Sequence, residues 1–395
     1  MARSIIESLS KIIFLGQASE IFLPFFSQQY NQSKESAWKF FNSIIFIFIT
    51  IIIIIILFVS LNKYYLVQFF APGFSVKNIE YTAQFLNGWL IYILLMFIFD
   101  LLRSLFYFFK NFKIPMISDN FSSLVALIFF ILLNNNEGII SLLYGYLIGR
   151  FITIFYLFIK LKKEHNFVFS FPHYDKEVKK YILSLKNFIL LNLSVFASSY
   201  TYKMSISFLQ EGTFSIIEYG RRLFNLIFDI IFSAIGNVAF PDFVKNINKN
   251  ILIKNINKNF KLILYFGSTL TILIFLFGET LTNVFFAHGN FNINNAKQLS
   301  IVFIILSMTY IPNGLYFLLR KAVLALKRIK VVIMLGIVSE LIQANLYIFL
   351  GMYYGYLGII YSIVIATFST FVMYYLYFTY ACRMPIFPIN FFKKN

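Results

Sequence analysis

The chain has 395 residues, of which 59% are hydrophobic and 21% aromatic, while only 13% carry charge. A mean hydropathy of +0.77 excludes a water-soluble globule, whose surface would then be an apolar patch that aggregates. A formal net charge of +18 would suggest nucleic acid in a soluble chain, but here the basic residues lie between apolar runs, as cytoplasmic loops of a multi-pass membrane protein do.

Crossing a bilayer core takes about 20 apolar residues. In chain order, such segments fall at 5–27, 40–61, 87–109, 114–133, 138–161, 183–208, 219–241, 260–281, 297–319, 329–351 and 356–380. The first is interrupted by Glu7, Lys11 and Glu20, and it lacks the small-residue cleavage site of a signal peptide. The predicted fold is therefore all-α and polytopic, with about 11 transmembrane helices. The loops sort by charge. Lys34 and Lys39, Lys110 and Lys113, the run from Lys160 to Lys186, Lys245 to Lys261, Arg320 to Lys330, and Arg383 with Lys393 and Lys394 form one set. The alternating set is nearly free of positive charge: 134–138, 210–213, 287–295 and 351–356, with 62–86 mildly basic through Lys63 and Lys77. The positive-inside rule places the first set, and the C-terminus with it, in the cytoplasm. The expected organisation is an N-terminal lobe over 1–161, a basic solvated linker over 162–182, a C-terminal lobe over 183–381 and a basic tail over 382–395. The stretch 245–260, KNINKNILIKNINKNF, reads as an amphipathic helix lying on the membrane surface.

The two lobes resemble each other. EIFLPFF at 20–26 echoes NVAFPDF at 237–243, setting Pro24 against Pro241 at an offset of 217. The same offset pairs LLRSLFYFFKNFK (101–113) with LLRKAVLALKRIK (318–330). FFAPG at 69–73 and FFAHG at 285–289 match one residue out of step, and GII at 138 and 358 three out. Two similar halves are a common ground plan of secondary transporters. The offset puts the partner of the 183–208 span before residue 1, so a six-plus-six plan with its first helix missing is expected.

Motifs for covalent or metal chemistry are lacking. There is no GxxxxGK phosphate loop, no nucleophile elbow and no zinc-protease motif. His165, His173 and His288 are scattered, and the single cysteine, Cys382, excludes an internal disulfide and a multi-cysteine metal site. An enzyme is not expected, and neither is a bound metal. What remains is charge inside apolar spans, which is costly and by default functional. The segment from Glu218 to Phe243 carries Arg221, Arg222 and Asp229. Adjacent arginines sit 100° apart on a helix, so only one can point fully inward. A guanidinium suits phosphate through bidentate hydrogen bonds, and the competing reading is an arginine that snorkels to the headgroups. Lys11 and Lys203 carry the same pair of readings. Asp229 lies seven residues past Arg222 on the same face, as a proton or cation site or as a partner for a neighbouring polar group. Asp100 and Arg103, one turn apart, are expected to pair locally. Pro24, Pro241, Pro115 and Pro312 are expected to kink or end helices.

Ala71-Pro72-Gly73-Phe74, with Thr82-Ala83 downstream, resembles the APGF…TA signature of the MurJ/MviN-type lipid II flippases of the multidrug/oligosaccharidyl-lipid/polysaccharide exporter superfamily. Tyr219, Arg222-Leu223, Gly236 and Pro241 match that family's seventh-to-eighth helix region. Gly16, Ser19, Phe22 and Pro24 match the end of its second helix, and Phe285-Phe286, Gly289 and Phe291 its ninth-to-tenth helix loop. The resemblance implies two pseudo-repeat helical lobes around a cationic central cavity. It further implies movement of an undecaprenyl-pyrophosphate-linked peptidoglycan precursor from the cytoplasmic to the periplasmic leaflet of the bacterial inner membrane by alternating access. Membrane potential or a coupled monovalent cation would drive the cycle, with no organic cofactor. By the same resemblance Arg222 and Lys11 meet the pyrophosphate; the residues themselves add Arg221 and Lys203 as candidates for that headgroup site, Asp229 as a candidate ion or proton site, and Pro24, Pro241, Gly73 and Gly289 as candidates that shape or gate the helices. The implied partners are that lipid substrate, membrane lipids and cell-wall synthesis machinery, and not nucleic acid. The chain departs from the pattern in lacking the first helix and the C-terminal helix pair, and in carrying Ile227 where the family has proline. The alternatives are a polysaccharide-lipid or multidrug exporter of the same superfamily, or a degenerate, non-transporting remnant or scaffold.

Overall fold

The structure, a computed structural model, describes residues 1–12, 15–111, 113–245, 249–289, 291–326 and 328–382, with side chains described outside 11–21, 134–137, 187, 241 and 244–249. Secondary structure is helical throughout, with no strand among the described residues. In chain order the helices are α1 (Ala2–Ile12), α2 (Leu15–Gln32), α3 (Lys34–Leu61), α4 (Lys63–Phe70), α5 (Val76–Phe108), α6 (Lys113–Glu137), α7 (Ile140–His165), α8 (Lys176–Leu185) and α9 (Ile189–Ser207). They continue with α10 (Thr213–Phe228), α11 (Ala234–Lys245), α12 (Lys249–Phe286), α13 (Ile293–Ser307), α14 (Tyr310–Ala325) and α15 (Ile329–Leu376). Their starts follow local chemistry. Side chains of Ser33, Ser75, Asp175 and Asn292 accept from the backbone N–H three residues on and so satisfy a donor that the helix leaves unpaired.

Seven helical segments among the described residues are long and apolar enough to cross a membrane, and two bent pairs, α8 with α9 and α13 with α14, raise the number to nine. Ten of the eleven expected spans fall inside these nine, because the segment Ile329–Ala381 holds two of them. The expected span at 5–27 corresponds to α1 and α2, which lie outside the seven. Large apolar side chains such as Phe58, Leu61, Ile131 and Phe275 are exposed over these helices, which is the surface a hydrocarbon solvent requires and water does not tolerate.

The repeat is clearer in the backbone than in the sequence. Gly138, between α6 and α7, has φ +57°, and Gly355 has φ +58° and breaks α15 into two helices. The two stand at the offset of 217 in register, so Gly138 pairs with Gly355 and not with Gly358 as the GII match suggested. A left-handed φ at a reversal between helices favours glycine, the residue without a Cβ. Arg103 and Arg320 likewise both lie near the C-terminal ends of their helices, α5 and α14.

By contacts the chain divides into two compact units, Met1–Phe196 and Ala197–Asn395, with the division inside α9. In the first unit, aromatic packing dominates: Phe22, Phe26, Phe40 and Phe41 are buried, with Phe22 and Phe40 stacked at 5.8 Å. α6 and α7 pack closely because α7 carries Gly145-Tyr-Leu-Ile-Gly149, a small-xxx-small pair on one face. A Cβ at Gly145 would lie 2.5 Å from Ala126 Cα, and one at Gly149 would lie 2.9 Å from Ser122 Cα. Both obstacles are backbone, which cannot swing aside. Gly145→Leu is therefore expected to force α6 and α7 apart and lower stability by about 1–3 kcal/mol, read as an earlier thermal transition of the detergent-solubilised protein. In the second unit the core is a ladder of rings. Phe224 stacks on Tyr310 at 4.5 Å, Tyr310 on Phe232 at 5.3 Å, and Phe228 on Phe232 at 5.6 Å.

Several expectations about local structure are corrected. The loop over 62–86 contains α4 and the first turns of α5, so only Asn62 and 71–75 are non-helical. The basic stretch 245–260 is amphipathic as expected, but from Lys249 on it is the first part of the 38-residue α12 and does not lie apart on the membrane surface. Its apolar stripe, Leu252, Ile256 and Phe260, is buried in the second unit's core, leaving Lys254 and Lys258 exposed. Pro24 and Pro241 lie inside α2 and α11 and end neither helix, since the helical hydrogen bonds on either side of the one missing N–H carry the turn through. Pro115 and Pro312 sit in the first turns of α6 and α14, where no N–H is needed. Gly73 occupies the turn between α4 and α5 without a left-handed φ, whereas Gly289 turns after α12 at φ +59°. The linker 162–182 is not a free tether: α7 runs to His165, and α8 packs on α2 and α3.

Candidate functional site

α10 is buried along one side by Phe224 and Phe228, with Phe232 continuing the line through the π-helical turn Asp229–Ser233. The opposite side therefore faces away from its own unit. Along it stand Arg222, Asn225, Leu226, Asp229 and Ile230, all exposed. Arg222 and Asp229 do share a face, with Asn225 between them, and the sequence reading had not singled out Asn225. A charged stripe on a membrane-spanning segment is costly against hydrocarbon, a cost that water, a polar ligand or snorkelling to the headgroups offsets.

The adjacent arginines have different surroundings. Arg221 Nη1 pairs with Glu218 Oε1 at 3.2 Å, and its Cζ lies 4.9 Å from the Tyr202 ring centroid. Tyr202 Oη donates to the same Glu218 oxygen at 2.7 Å and its ring lies 5.2 Å from Tyr347, whose Oη accepts from Gln343 Nε2 at 2.7 Å. Arg221 is thus neutralised and held by α9, α10 and α15. Arg222 is exposed and makes no hydrogen bond or ion pair among the described residues. The 100° between neighbours, which the sequence supplied, becomes a division of roles: one guanidinium is matched internally and the other is presented. Because Glu218 holds Arg221 and not Arg222, Glu218→Gln is expected to lower thermal stability by about 1 kcal/mol, read as an earlier melting transition of the detergent-solubilised protein.

Lys203 is buried at 4% exposure on α9 and its Nζ donates to the Ser199 carbonyl at 3.2 Å. Lys11 lies on α1, but its side chain is outside the described residues, as is that of Pro241.

The first unit holds charge of a different kind. Asp100 and Arg103 pair at 2.8 Å as expected. Sequence reasoning missed Arg150, which is 3% exposed, donates from Nη2 to Asp119 Oδ1 at 2.7 Å and to Tyr92 Oη at 3.3 Å, and lies 4.2 Å from the Phe99 ring centroid. The signal was available: an arginine directly after the close-packing Gly149 has to lie near the α6–α7 contact. Arg3 Nε pairs with Glu7 at 2.8 Å, with the guanidinium over Trp89 and Tyr146. A cavity of about 400 Å³ between α1 and α5 is lined by Arg3, Glu7, Trp89, Tyr92 and Asp100 among others. Each of these three arginines has its own carboxylate. No cluster of histidine, cysteine and carboxylate side chains suited to a metal ion occurs among the described residues.

A family model described as lipid II flippase MurJ matches residues 1–394. The chain belongs to that family. It is 26% identical over 384 residues to a probable lipid II flippase MurJ of Buchnera aphidicola, covering 94% of this chain and 74% of the relative. It is 22% identical over 358 residues to one of Borreliella burgdorferi, covering 88% and 69% respectively. Among solved structures it is similar to a lipid II flippase MurJ in an inward closed conformation, with a TM-score of 0.81 and 21% identity, covering 98% of this chain and 82% of that one. An inward-facing multidrug resistance MATE transporter of the MOP superfamily shares the fold at a TM-score of 0.70 and 14% identity, covering 95% and 92%. The MurJ family is thus matched by sequence and by fold, and the MATE transporter by fold alone.

Proposed function

We propose that this chain is a transporter, and not an enzyme, that carries lipid II, the lipid-linked peptidoglycan precursor, across the bacterial inner membrane. Family membership over the whole chain supports the substrate class. The observation that carries the site is Arg222, a guanidinium exposed on a membrane-spanning helix beside its internally matched neighbour Arg221. A pyrophosphate presents oxygens that a guanidinium can meet with two parallel hydrogen bonds, and such contacts strengthen where water is scarce. In this reading Arg222 engages the headgroup, Asn225 offers a neutral hydrogen-bonding group one turn on, and Asp229 responds to a coupled cation or proton. Movement runs from the cytoplasmic to the periplasmic leaflet by alternating access, powered by membrane potential or a monovalent cation, with the C-terminus in the cytoplasm as the basic loops require. Cell-wall synthesis machinery would take up the delivered substrate.

The test is rescue. The chain is expressed in cells depleted of their own lipid II flippase, with its membrane level followed in parallel. Growth and cell shape are expected to be restored. Failure to rescue at normal membrane abundance would turn the reading toward a polysaccharide-lipid or drug exporter of the same superfamily, or toward a non-transporting scaffold.

A further inference from the structure

The strap that joins α7 to α8 is fixed to the first unit by its backbone. Asn42 Nδ2 donates to the Val168 carbonyl at 2.9 Å and to Ser170 Oγ at 3.0 Å. Ser43 Oγ accepts from the His173 N–H at 2.8 Å and donates to the His173 carbonyl at 3.0 Å. Asn42 and Ser43 are both buried on α3, and Phe167 packs edge-on against Trp38 at 5.2 Å. This pinning decides which side chains turn inward. Phe167 and Ser170 face α3, while Phe169 is 78% and Phe171 91% exposed, with Tyr174 exposed beside them.

α8 then removes the usual way of hiding such rings. Its apolar residues Val178, Tyr181 and Leu185 are buried, Tyr181 standing edge-on to Phe25 and Phe40. Lys176, Lys179 and Lys180 are left on the outside, next to the exposed aromatics in the chain. The level of the strap follows from α3. Phe46, the first exposed large apolar residue of that helix, lies three residues past Ser43, which is about 4.5 Å along the axis. From there the exposed side continues through Ile51, Ile54 and Phe58. The strap therefore crosses α3 at the border of its lipid-facing belt, where aromatic rings settle at headgroup depth and lysines meet anionic headgroups.

We propose that the strap is a lipid-binding surface. Phe169, Phe171 and Tyr174 enter the boundary between headgroups and acyl chains, and Lys176, Lys179 and Lys180 engage the phosphates of anionic phospholipid in the cytoplasmic leaflet. This surface is separate from the Arg222 stripe and does not rest on the identity of the transported substrate.

The test uses the full chain with Cys382→Ser and a nitroxide attached at Phe171→Cys, reconstituted in nanodiscs of phosphatidylcholine with or without phosphatidylglycerol. A second label at Phe169→Cys is read the same way. In discs containing phosphatidylglycerol, oxygen is expected to relax the label more than a water-soluble nickel chelate does. Exchanging Lys176, Lys179 and Lys180 for glutamine should shift the label back toward the chelate. A label that is chelate-accessible in both lipids overturns the proposal. So does one shielded from both reagents, which would identify a protein contact, and so does a depth indifferent to the lysine exchange.

Discussion

Arg222→Ala is expected to abolish rescue of flippase-depleted cells while membrane abundance and thermal stability stay near those of the parent. The two readouts separate because the side chain is exposed and unpaired among the described residues, so folding does not depend on it. Losing a charge-assisted hydrogen bond removes about 1.5–3 kcal/mol, which weakens headgroup binding by roughly 10- to 100-fold. Arg222→Lys keeps the charge but not the planar fork, so it should rescue only in part. Undiminished growth of the alanine variant would remove Arg222 from the recognition site. Collapse of its membrane level would assign it to folding instead.

Asp119→Ala is expected to have the largest effect on stability in the first unit. It deletes the carboxylate that faces Arg150 Nη2 at 2.7 Å and leaves a guanidinium buried at 3% exposure. Arg150 Nε and Nη1 already lack an acceptor among the described residues, so the remaining support would be Tyr92 Oη and the Phe99 ring. Asp119 is itself half-exposed, which keeps the expected loss near a single charged hydrogen bond, about 1.5–3 kcal/mol. Replacing both partners, as Asp119→Ala with Arg150→Met, should recover much of that loss, because no unmatched charge remains in the core. Thermal unfolding in detergent of the two single variants and the double variant completes the cycle. Additive losses across the three would mean that the pair does not act as a unit.

The membrane class, ten of the expected spans and the doubled plan were legible because they depend on local properties. Hydropathy over about 20 residues is written directly in the chain, and a duplicated segment such as LLRSLFYFFKNFK carries its register with it. The pairing of Asp100 with Arg103 was legible for the same reason, since one helical turn brings them together whatever surrounds them. The left-handed glycines were only half legible: the GII match drew attention to Gly138 but chose Gly358 over Gly355. Similar letters nearby outweighed the backbone angle, which a sequence does not display.

The sequence by itself determined that Arg221 and Arg222 point about 100° apart and that a charged residue recurs on that face at Asp229. Only the tertiary structure decided which arginine is matched, because Glu218, Tyr202 and Tyr347 come from three helices. It also decided that Lys203 is buried, that Arg150 closes on Asp119 31 residues away, and that the strap after α7 is tied to Asn42 and Ser43. Each of these is a contact between residues distant in the chain. Spacing along one helix fixes direction, but the partner a charge meets there is set by how the helices pack.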